Sequence, residues 1–253
     1  MYGISKLSII PGRKEPADQS ENITQIVFGE HYEVIEEQEK WMKVRTPWDA
    51  YESWIDRKQH LEIPAEEYDH LNRFPAPRTV DLLGIAKDYT TTTYYNLPLG
   101  SRLPFYENGH FRIGTSAFNF KGTLAQRDTQ MIVPYAYNYI HAPYLWGGRT
   151  PFGIDCSGFT QMIFALVGMT IPRDAWQQEQ VGGGVNFGEE RMGDLAFFRN
   201  DQGKVTHVAL VLEPGKVMHA SGKVRVDTLT AEGILHSDTG ERTHNFYAIR
   251  RYF

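Results

Sequence analysis

Residues 155–159 read Asp155-Cys156-Ser157-Gly158-Phe159 and contain the only cysteine among 253 residues. The apolar residues from there on are spaced like one face of a helix: Phe159, Met162, Ile163, Leu166 and Val167. This periodicity predicts a core-facing helix that begins at or just before the thiol. The positive end of the helix dipole would face the sulfur, which favours a lowered cysteine pKa and offers N–H groups to an oxyanion. Since a lone thiol cannot form an internal disulfide, Cys156 is either an inert buried residue or a nucleophile.

A nucleophilic thiol needs a base, and two histidines lie on strands that follow the helix. Strand-like runs at 205–212 and 217–221 flank a turn that contains Pro214-Gly215, so His207 and His219 lie on the two strands of one hairpin. A three-residue loop places His219 diagonally across from His207 on the same face, within hydrogen-bond reach. A two-residue loop would place the two side chains on opposite faces. In the first register His207 is the base and His219 fixes its orientation and tautomer.

Six short segments in the second half of the chain, in their order along the sequence, resemble those of a known protein family. Six segments carry the resemblance: Tyr144-Leu145-Trp146-Gly147-Gly148, Asp155-Cys156-Ser157-Gly158-Phe159, Pro172-Arg173-Asp174, Gly193-Asp194-Leu195, Thr206-His207-Val208-Ala209 and Met218-His219-Ala220-Ser221. They are similar to the signature segments of the NlpC-type papain-like cysteine peptidases of bacterial cell-wall metabolism, over about residues 128–253. The resemblance implies an α+β papain-like domain with a Cys-His-His triad at Cys156, His207 and His219.

The first half of the chain has a different pattern. Short strand-like runs at 23–27, 32–36, 41–45 and 51–55 predict a small barrel, and their motifs resemble a bacterial SH3 domain. Residues 74–78, Phe-Pro-Ala-Pro-Arg, are typical of a linker. Residues 79–125 resemble a second SH3-like module more weakly. We therefore expect three domains: SH3-like domain 1 at 1–63, the linker and SH3-like domain 2 at 64–127, and the peptidase domain at 128–253.

Within the peptidase domain, the sequence predicts a short helix over 134–141 with Tyr135 and Tyr139 facing the core. It also predicts a strand at 194–198 and a loop at 182–184, where three glycines follow one another.

Composition restricts the class of protein. A net charge of −5 and a pI near 6 argue against nucleic acid as a main partner. No apolar run is long enough for a membrane-spanning helix. Residues 1–11 read as a first strand and not as a signal peptide, so we expect a cytoplasmic protein, or a periplasmic or secreted one if a signal peptide has been removed. We expect no required protein partner.

The resemblance also implies a substrate. The family hydrolyses peptidoglycan stem peptides, most often between γ-D-glutamate and an L-diamino acid. Two SH3-like modules ahead of the peptidase resemble the subgroup that recycles murein peptides with a free N-terminal L-alanine. The diamino acid is meso-diaminopimelate or lysine, and both stay open.

A free amine at the substrate terminus requires an anionic, hydrogen-bonding pocket that excludes longer peptides. Asp155 is the first candidate for the carboxylate, and it is equally a candidate N-cap of the thiol helix. Glu15 and Tyr51, from the first SH3-like domain, are candidates to complete the pocket. Solvated loop residues are the alternative interpretation of both.

Further substrate contacts are predicted near the nucleophile. The resemblance implies contacts for Tyr144 and Ser157, although Tyr144 could equally pack under the Gly-rich loop. Arg173 and Asp174 are candidates to bind the D-glutamate carboxylate, with a structural ion pair as the alternative. We expect no metal site, because neither a paired-cysteine nor a His-x-x-Glu-His pattern occurs, and no cofactor, because catalysis by a Cys-His-His triad needs none.

The sequence leaves two other functions open. A related acyl-transfer enzyme, such as an amidase or a transglutaminase-like protein, could use the same Cys-His arrangement. A non-catalytic wall-binding protein could rely on the SH3-like modules alone. His141 is a rival base, which we discount because it lies in a loop just before the Gly-rich turn.

Overall fold

A computed structural model describes all residues from Met1 to Phe253, and these divide into two compact units. The first unit consists of Met1–Gln126 together with Trp146–Pro151. The second consists of Arg127–Leu145 and Phe152–Phe253. None of the α-helices has the length and apolar character needed to cross a membrane.

The first unit is built almost entirely of β-strands. Its elements are β1 (Tyr2–Ile4), β2 (Ile9–Arg13), β3 (Asn22–Val27), β4 (His31–Glu37), β5 (Trp41–Arg45), β6 (Glu52–Asp56), β7 (Glu62–Ile63), α1 (Ala65–Arg73), β8 (Leu83–Asp88), β9 (Tyr94–Pro98), β10 (His110–Ile113), β11 (Ser116–Phe120) and β12 (Arg149–Thr150). Strands β1 to β7 form an antiparallel sheet in the order β3-β2-β6-β5-β4-β1-β7, and β8 to β11 form a second sheet in the order β10-β11-β8-β9.

The four strands predicted in the first 63 residues are confirmed within one residue at each end. The single strand expected at the N-terminus is wrong, because residues 1–11 contribute to both β1 and β2. Helix α1 was not predicted either. It places Leu71 in a core that also holds Phe28 and Phe118, so one apolar cluster joins both sheets.

The proline-containing segment 74–78 is exposed at Phe74 and Pro75 and packs into the unit at Ala76 and Arg78. The side chain of Arg78 is 5% exposed and lies 3.1 Å from Glu30 in an ion pair, and Ala76 is buried. The Gly-rich loop also belongs to this unit. Gly147 has φ +75°, and a Cβ there would lie 2.4 Å from the carbonyl oxygen of Asn22, so the turn requires glycine.

The second unit combines three helices with one large sheet. Its elements are α2 (Ile132–Tyr137), β13 (Gly153–Ile154), α3 (Cys156–Leu166), α4 (Ala175–Glu179), β14 (Gly183–Val185), β15 (Leu195–Arg199), β16 (Val205–Glu213), β17 (Lys216–Ser221), β18 (Lys223–Leu229), β19 (Gly233–Leu235) and β20 (Arg242–Arg251). The sheet order is β14-β20-β15-β16-β17-β18-β19, and β19 also pairs with β20, so the strands from β15 to β20 close on themselves.

Most local predictions for this unit are confirmed. Helix α3 begins at Cys156 and packs on β16 and β17. The helix expected over 134–141 is α2, which begins and ends a few residues earlier, and Tyr135 and Tyr139 are buried as predicted. The loop expected at 182–184 is wrong for Gly183 and Gly184, which belong to β14 because the edge of β20 offers hydrogen bonds to their extended backbone, whereas Gly182 precedes the strand.

Candidate active site

The thiol lies at the first residue of α3, and the preceding carboxylate caps the helix. Asp155 Oδ1 accepts a hydrogen bond from the backbone N–H of Gly158 at 2.6 Å, which satisfies one of the unpaired donors of the first turn. The N-cap alternative for Asp155 is therefore what the structure contains. Cys156 is only 6% exposed.

Burial changes how the sulfur is activated. It raises the pKa of Cys156 to about 12, with the negative charge of Asp155 acting in the same direction. The backbone N–H groups of Val208 and Ser157 donate toward the sulfur and favour the thiolate, but they do not outweigh burial. The lowered pKa expected from the helix dipole is thus wrong, because desolvation of the thiolate exceeds the stabilisation available at the helix terminus.

The hairpin of β16 and β17 holds His207 and His219 in contact, although its loop differs from the prediction. Pro214-Gly215 is a two-residue turn, flanked by the pair Glu213 and Lys216. A β-bulge between Val211 and Glu213 then adds one residue to β16, so that Leu210 pairs with Met218. The turn and the bulge together produce the register that a three-residue loop would give, and both imidazoles lie on one face.

The two imidazoles are joined by a hydrogen bond. His207 Nε2 lies 2.8 Å from His219 Nδ1, and both rings are buried. Burial lowers the pKa of His207 well below its ordinary value, and the neighbouring His219 and His244 act in the same direction. His207 is therefore a neutral imidazole at neutral pH, which is the form that accepts a proton.

Asp227 on β18 was missed from the sequence. Its Oδ2 lies 2.9 Å from His219 Nε2, so the hydrogen-bonded chain continues one residue beyond the pair of histidines. Burial would raise the pKa of Asp227, but hydrogen bonds from His219, Ser237 and Arg225 outweigh it and hold the pKa well below its usual range. The diagonal rule that placed His219 next to His207 also identifies Asp227, since His219 pairs with Arg225, two residues away.

His244 on β20 is a second residue that was missed. Its ring stacks on His207 with centroids 4.0 Å apart, and burial lowers its pKa to about 4. The donor nitrogens of His207, His219 and His244 lie within 4.8 Å of one another, which makes them the residues that could hold a metal ion. Two of these rings are hydrogen-bonded to each other through His207 Nε2 and His219 Nδ1, an arrangement that serves proton transfer. No local sequence signal marks His244. It comes near His207 only because β20, at the end of the chain, pairs with β15 far earlier in the sequence.

The predicted substrate-binding residues next to the thiol form a buried ion pair. Arg173 Nη1 and Nη2 donate to Asp155 Oδ1 and Oδ2 at 3.0 and 2.7 Å, and Nη1 also donates to Ser157 Oγ at 3.0 Å. Arg173 is 1% exposed. The structural ion-pair alternative is therefore realised for Arg173. Substrate contacts by Asp155, Ser157 and Arg173 stay predictions.

Tyr144 and Asp174 have defined structural surroundings. Tyr144 is half-buried, its backbone N–H donates to the carbonyl of Gly222, and burial followed by the proximity of Cys156 raises its pKa, so the phenol stays protonated. Asp174 is the N-cap of α4, where its backbone N–H donates to Gln177 Oε1 in a capping box. Their substrate contacts also stay predictions.

The two residues predicted from the first domain lie in unit 1. Glu15 is exposed, and its backbone N–H donates to Ser20 Oγ at 2.9 Å. Tyr51 is half-buried and immediately precedes β6, and its backbone N–H donates to Asp49 Oδ1 at 3.2 Å. These contacts describe loop structure, and the part of either residue in substrate binding stays a prediction.

Comparison with known proteins identifies both halves of the chain. Residues 141–242 match the NlpC/P60 family, and residues 12–59 match the bacterial dipeptidyl-peptidase Sh3 domain. A gamma-D-glutamyl-L-lysine dipeptidyl-peptidase of Bacillus subtilis is 32% identical over 235 residues, which cover 82% of this chain and 76% of that protein. A protein named dipeptidyl-peptidase 6 of Lysinibacillus sphaericus is 28% identical over 88% of this chain and 89% of its own length.

The structural comparison agrees. The crystal structure of an NlpC/P60 family protein from Bacillus cereus superposes with a TM-score of 0.82 at 22% identity and covers 100% of this chain and 99% of that chain. This likeness concerns the fold, and it confirms the expected papain-like α+β architecture with an SH3-like domain. The sequence relationship to the Bacillus subtilis protein goes further, and it shows that the chain belongs to the NlpC/P60 family of peptidoglycan-hydrolysing cysteine peptidases.

Proposed function

We propose that this protein is a cysteine endopeptidase that cleaves the bond between γ-D-glutamate and the L-diamino acid in peptidoglycan stem peptides with a free N-terminal L-alanine, as a step in cell-wall recycling. The observation that carries the proposal is buried Cys156 at a helix N-terminus with its sulfur against the backbone N–H of Val208, the residue next to His207, which is hydrogen-bonded to His219. The name of the Bacillus subtilis relative supports the choice of bond.

The residues perform acyl transfer in two stages. His207 takes the thiol proton as Cys156 sulfur attacks the γ-carbonyl carbon, and the resulting oxyanion is held by N–H groups at the start of α3. The protonated His207 then gives its proton to the departing amine of the diamino acid, leaving a thioester of the L-Ala-D-Glu fragment on Cys156. Water, deprotonated by His207, hydrolyses the thioester and restores the thiol.

A free enzyme with a neutral Cys156 thiol and a neutral His207 imidazole is compatible with these two reaction stages. Burial disfavours both the thiolate and the imidazolium, so charge develops only when substrate is present to share it. The proton transfer is then coupled to the attack, and His207 needs no prior ionisation.

For the organisation of the chain, we propose SH3-like domain 1 at 1–63, SH3-like domain 2 within 64–127 and the peptidase domain at 128–253. The second module rests on the four-stranded antiparallel sheet of β8 to β11. Of the predicted substrate contacts, we propose Asp155 for the terminal ammonium group, with Glu15 and Tyr51 to be tested by substitution.

The test compares L-Ala-γ-D-Glu-meso-diaminopimelate and L-Ala-γ-D-Glu-L-Lys with their N-acetylated forms, and products are followed by mass spectrometry. We expect only the free-amine peptides to be cleaved, into L-Ala-D-Glu and the diamino acid, and we expect Cys156→Ala to abolish cleavage. The preferred diamino acid is read from the ratio of kcat/KM values. Glu15→Gln and Tyr51→Phe should raise KM for the free-amine peptides if these residues bind the substrate.

The other outcomes are distinct. Cleavage of acetylated and free peptides alike would overturn the free-amine requirement and point to wall remodelling. Cleavage of neither, by a folded protein, would overturn the endopeptidase assignment in favour of another acyl-transfer reaction or a binding role.

A further inference from the structure

Asp227 ends a buried hydrogen-bonded chain that begins at His207. The two contacts are 2.9 Å from Asp227 Oδ2 to His219 Nε2 and 2.8 Å from His219 Nδ1 to His207 Nε2. The side chains of Asp227 and His219 are each 1% exposed, so bulk water does not compete for these bonds.

With an ionised Asp227 and two neutral imidazoles, the chain has one consistent arrangement of protons. An ionised carboxylate is an acceptor only, so His219 must carry its proton on Nε2. A neutral His219 then offers a lone pair at Nδ1, and the proton of the next bond must come from His207 Nε2. A neutral His207 with its proton on Nε2 has its lone pair on Nδ1, the remaining nitrogen that could take the thiol proton.

The strands place these residues by one repeated rule. His219 lies two positions from the residue opposite His207, and Asp227 lies two positions from Arg225, the residue opposite His219. Diagonal neighbours on one face of an antiparallel sheet come within reach of each other. The relay is thus a property of three consecutive strands, β16, β17 and β18.

The surroundings of Asp227 fix which oxygen faces the histidine. Oδ1 accepts from Arg225 Nη2 at 2.9 Å and from the backbone N–H of Ser237 at 2.8 Å. Oδ2 accepts from His219 Nε2, and Arg225 Nε lies 2.8 Å away in an ion pair.

We propose that Asp227 is a positioning residue that sets the tautomers of both His219 and His207, so that His207 Nδ1 is the atom that receives the thiol proton. The inference rests on the proposed function for its role in turnover. The tautomers themselves do not depend on the identity of the substrate.

Replacement by asparagine gives a sharp test because it reverses the relay with little change in shape. Arg225 Nη2 and the backbone N–H of Ser237 donate to the Oδ1 position and hold the amide oxygen there, whereas Arg225 Nε, near Oδ2, makes no hydrogen bond. The amide NH2 group therefore faces His219 Nε2 and donates to it. His219 must then carry its proton on Nδ1, His207 must accept at Nε2, and the proton of His207 moves to Nδ1. The base is blocked, as it is when a triad carboxylate becomes an amide in serine proteases.

We therefore expect Asp227→Asn to lower kcat by about 100-fold to 10,000-fold with little change in KM. Asp227→Ala imposes no tautomer and should be less damaging than Asp227→Asn, although it removes more atoms. A purely structural role predicts the opposite order. The matched control is Asp238→Asn, which removes an exposed carboxylate 3.5 Å from Arg225 and outside the relay, and it should match the wild type.

The independent readout is nitrogen-15 NMR of the histidine rings in the free enzyme, assigned with His207→Gln and His219→Gln. We expect Nε2–H tautomers of His207 and His219 in the wild type and Nδ1–H tautomers in Asp227→Asn. Unchanged tautomers in Asp227→Asn, or Asp227→Ala being the worse enzyme, would overturn the inference. A switch of tautomers in a protein that cleaves none of the peptides would refute the proposed function and leave the assignment of Asp227 standing.

Discussion

Burial of Cys156 determines the protonation state in which the site waits for substrate. A helix N-terminus and two N–H donors favour the thiolate, whereas desolvation and the carboxylate of Asp155 oppose it, and the second pair of effects is larger. His207 is driven to its neutral form by the same desolvation. At the scale of single residues, the site is a neutral thiol and imidazole pair.

This balance predicts the titration of the thiol. Because burial raises the pKa of Cys156 to about 12, the free enzyme should show no thiolate absorbance in the ultraviolet at neutral pH, and absorbance should grow only in strongly alkaline solution. Cys156→Ser provides the blank. A thiolate signal that is already complete at neutral pH would instead indicate a thiolate and imidazolium ion pair.

The hairpin of β16 and β17 shows how an element aligns two side chains. A two-residue turn alone would set His207 and His219 on opposite faces, and the bulge at Leu212 compensates by one residue. Helix α3 is set in a comparable way, because Asp155 both caps it and pairs with Arg173. The positions of the catalytic side chains thus depend on the residue at which α3 begins and on the register between β16 and β17.

The bulge at Leu212 can be tested with one deletion and one insertion in β16. Deleting Leu212 removes the extra residue and leaves Val211 opposite Val217, so peptide cleavage should persist, at a cost of about 1–3 kcal/mol in the free energy of unfolding. Inserting one alanine between Ala209 and Leu210 moves His207 to the other face and should abolish cleavage. Both variants are checked by circular dichroism and urea unfolding. Loss of activity in a folded Leu212 deletion would contradict this account of the register.

At the scale of the whole molecule, the first unit is organised around one buried carboxylate. Glu30 is 1% exposed and pairs with Arg78 at 3.1 Å and with Arg149 at 2.7 and 2.9 Å. Burial would raise the pKa of Glu30, but the charges of Arg149 and Arg78 outweigh it and lower the pKa to about 2. Three segments far apart in sequence therefore depend on one anion.

Removing that anion should destabilise the protein strongly. Glu30→Gln leaves buried guanidinium groups without their counter-charge, which costs about 3–5 kcal/mol in the free energy of unfolding. The folded pKa of Glu30 lies below its ordinary value of 4.5, so its contribution is present above about pH 4.5 and is lost as pH falls toward about 2.

Thermal unfolding across that pH range provides the measurement, and the exposed Glu39→Gln is the control. The difference in melting temperature between the wild type and Glu30→Gln should shrink as the pH falls. An advantage that is constant with pH would show that the carboxylate charge is not what stabilises the unit.

Much of the protein follows from its sequence. Local patterns predict the helix at Cys156, the strands of the first barrel and the hairpin that bears both histidines. Where two strands are adjacent in sequence, their pairing also predicts which side chains lie next to each other. The same reasoning extends to Asp227, one strand further on. Helix α1 and strand β14 were not predicted: α1 is only nine residues long, and the glycines of β14 are extended because β20 pairs with them.

What only the tertiary structure decided depends on contacts between distant segments. His244 stacks on His207 because β20 closes the sheet beside β15, Arg149 reaches Glu30 across more than a hundred residues, and the pKa of Cys156 rises because the folded chain excludes water from it. Sequence periodicity reports which face of an element is apolar. How deeply a side chain is buried and which distant residue it pairs with depend on how the elements pack together. These two properties determine the pKa values of the groups in the site.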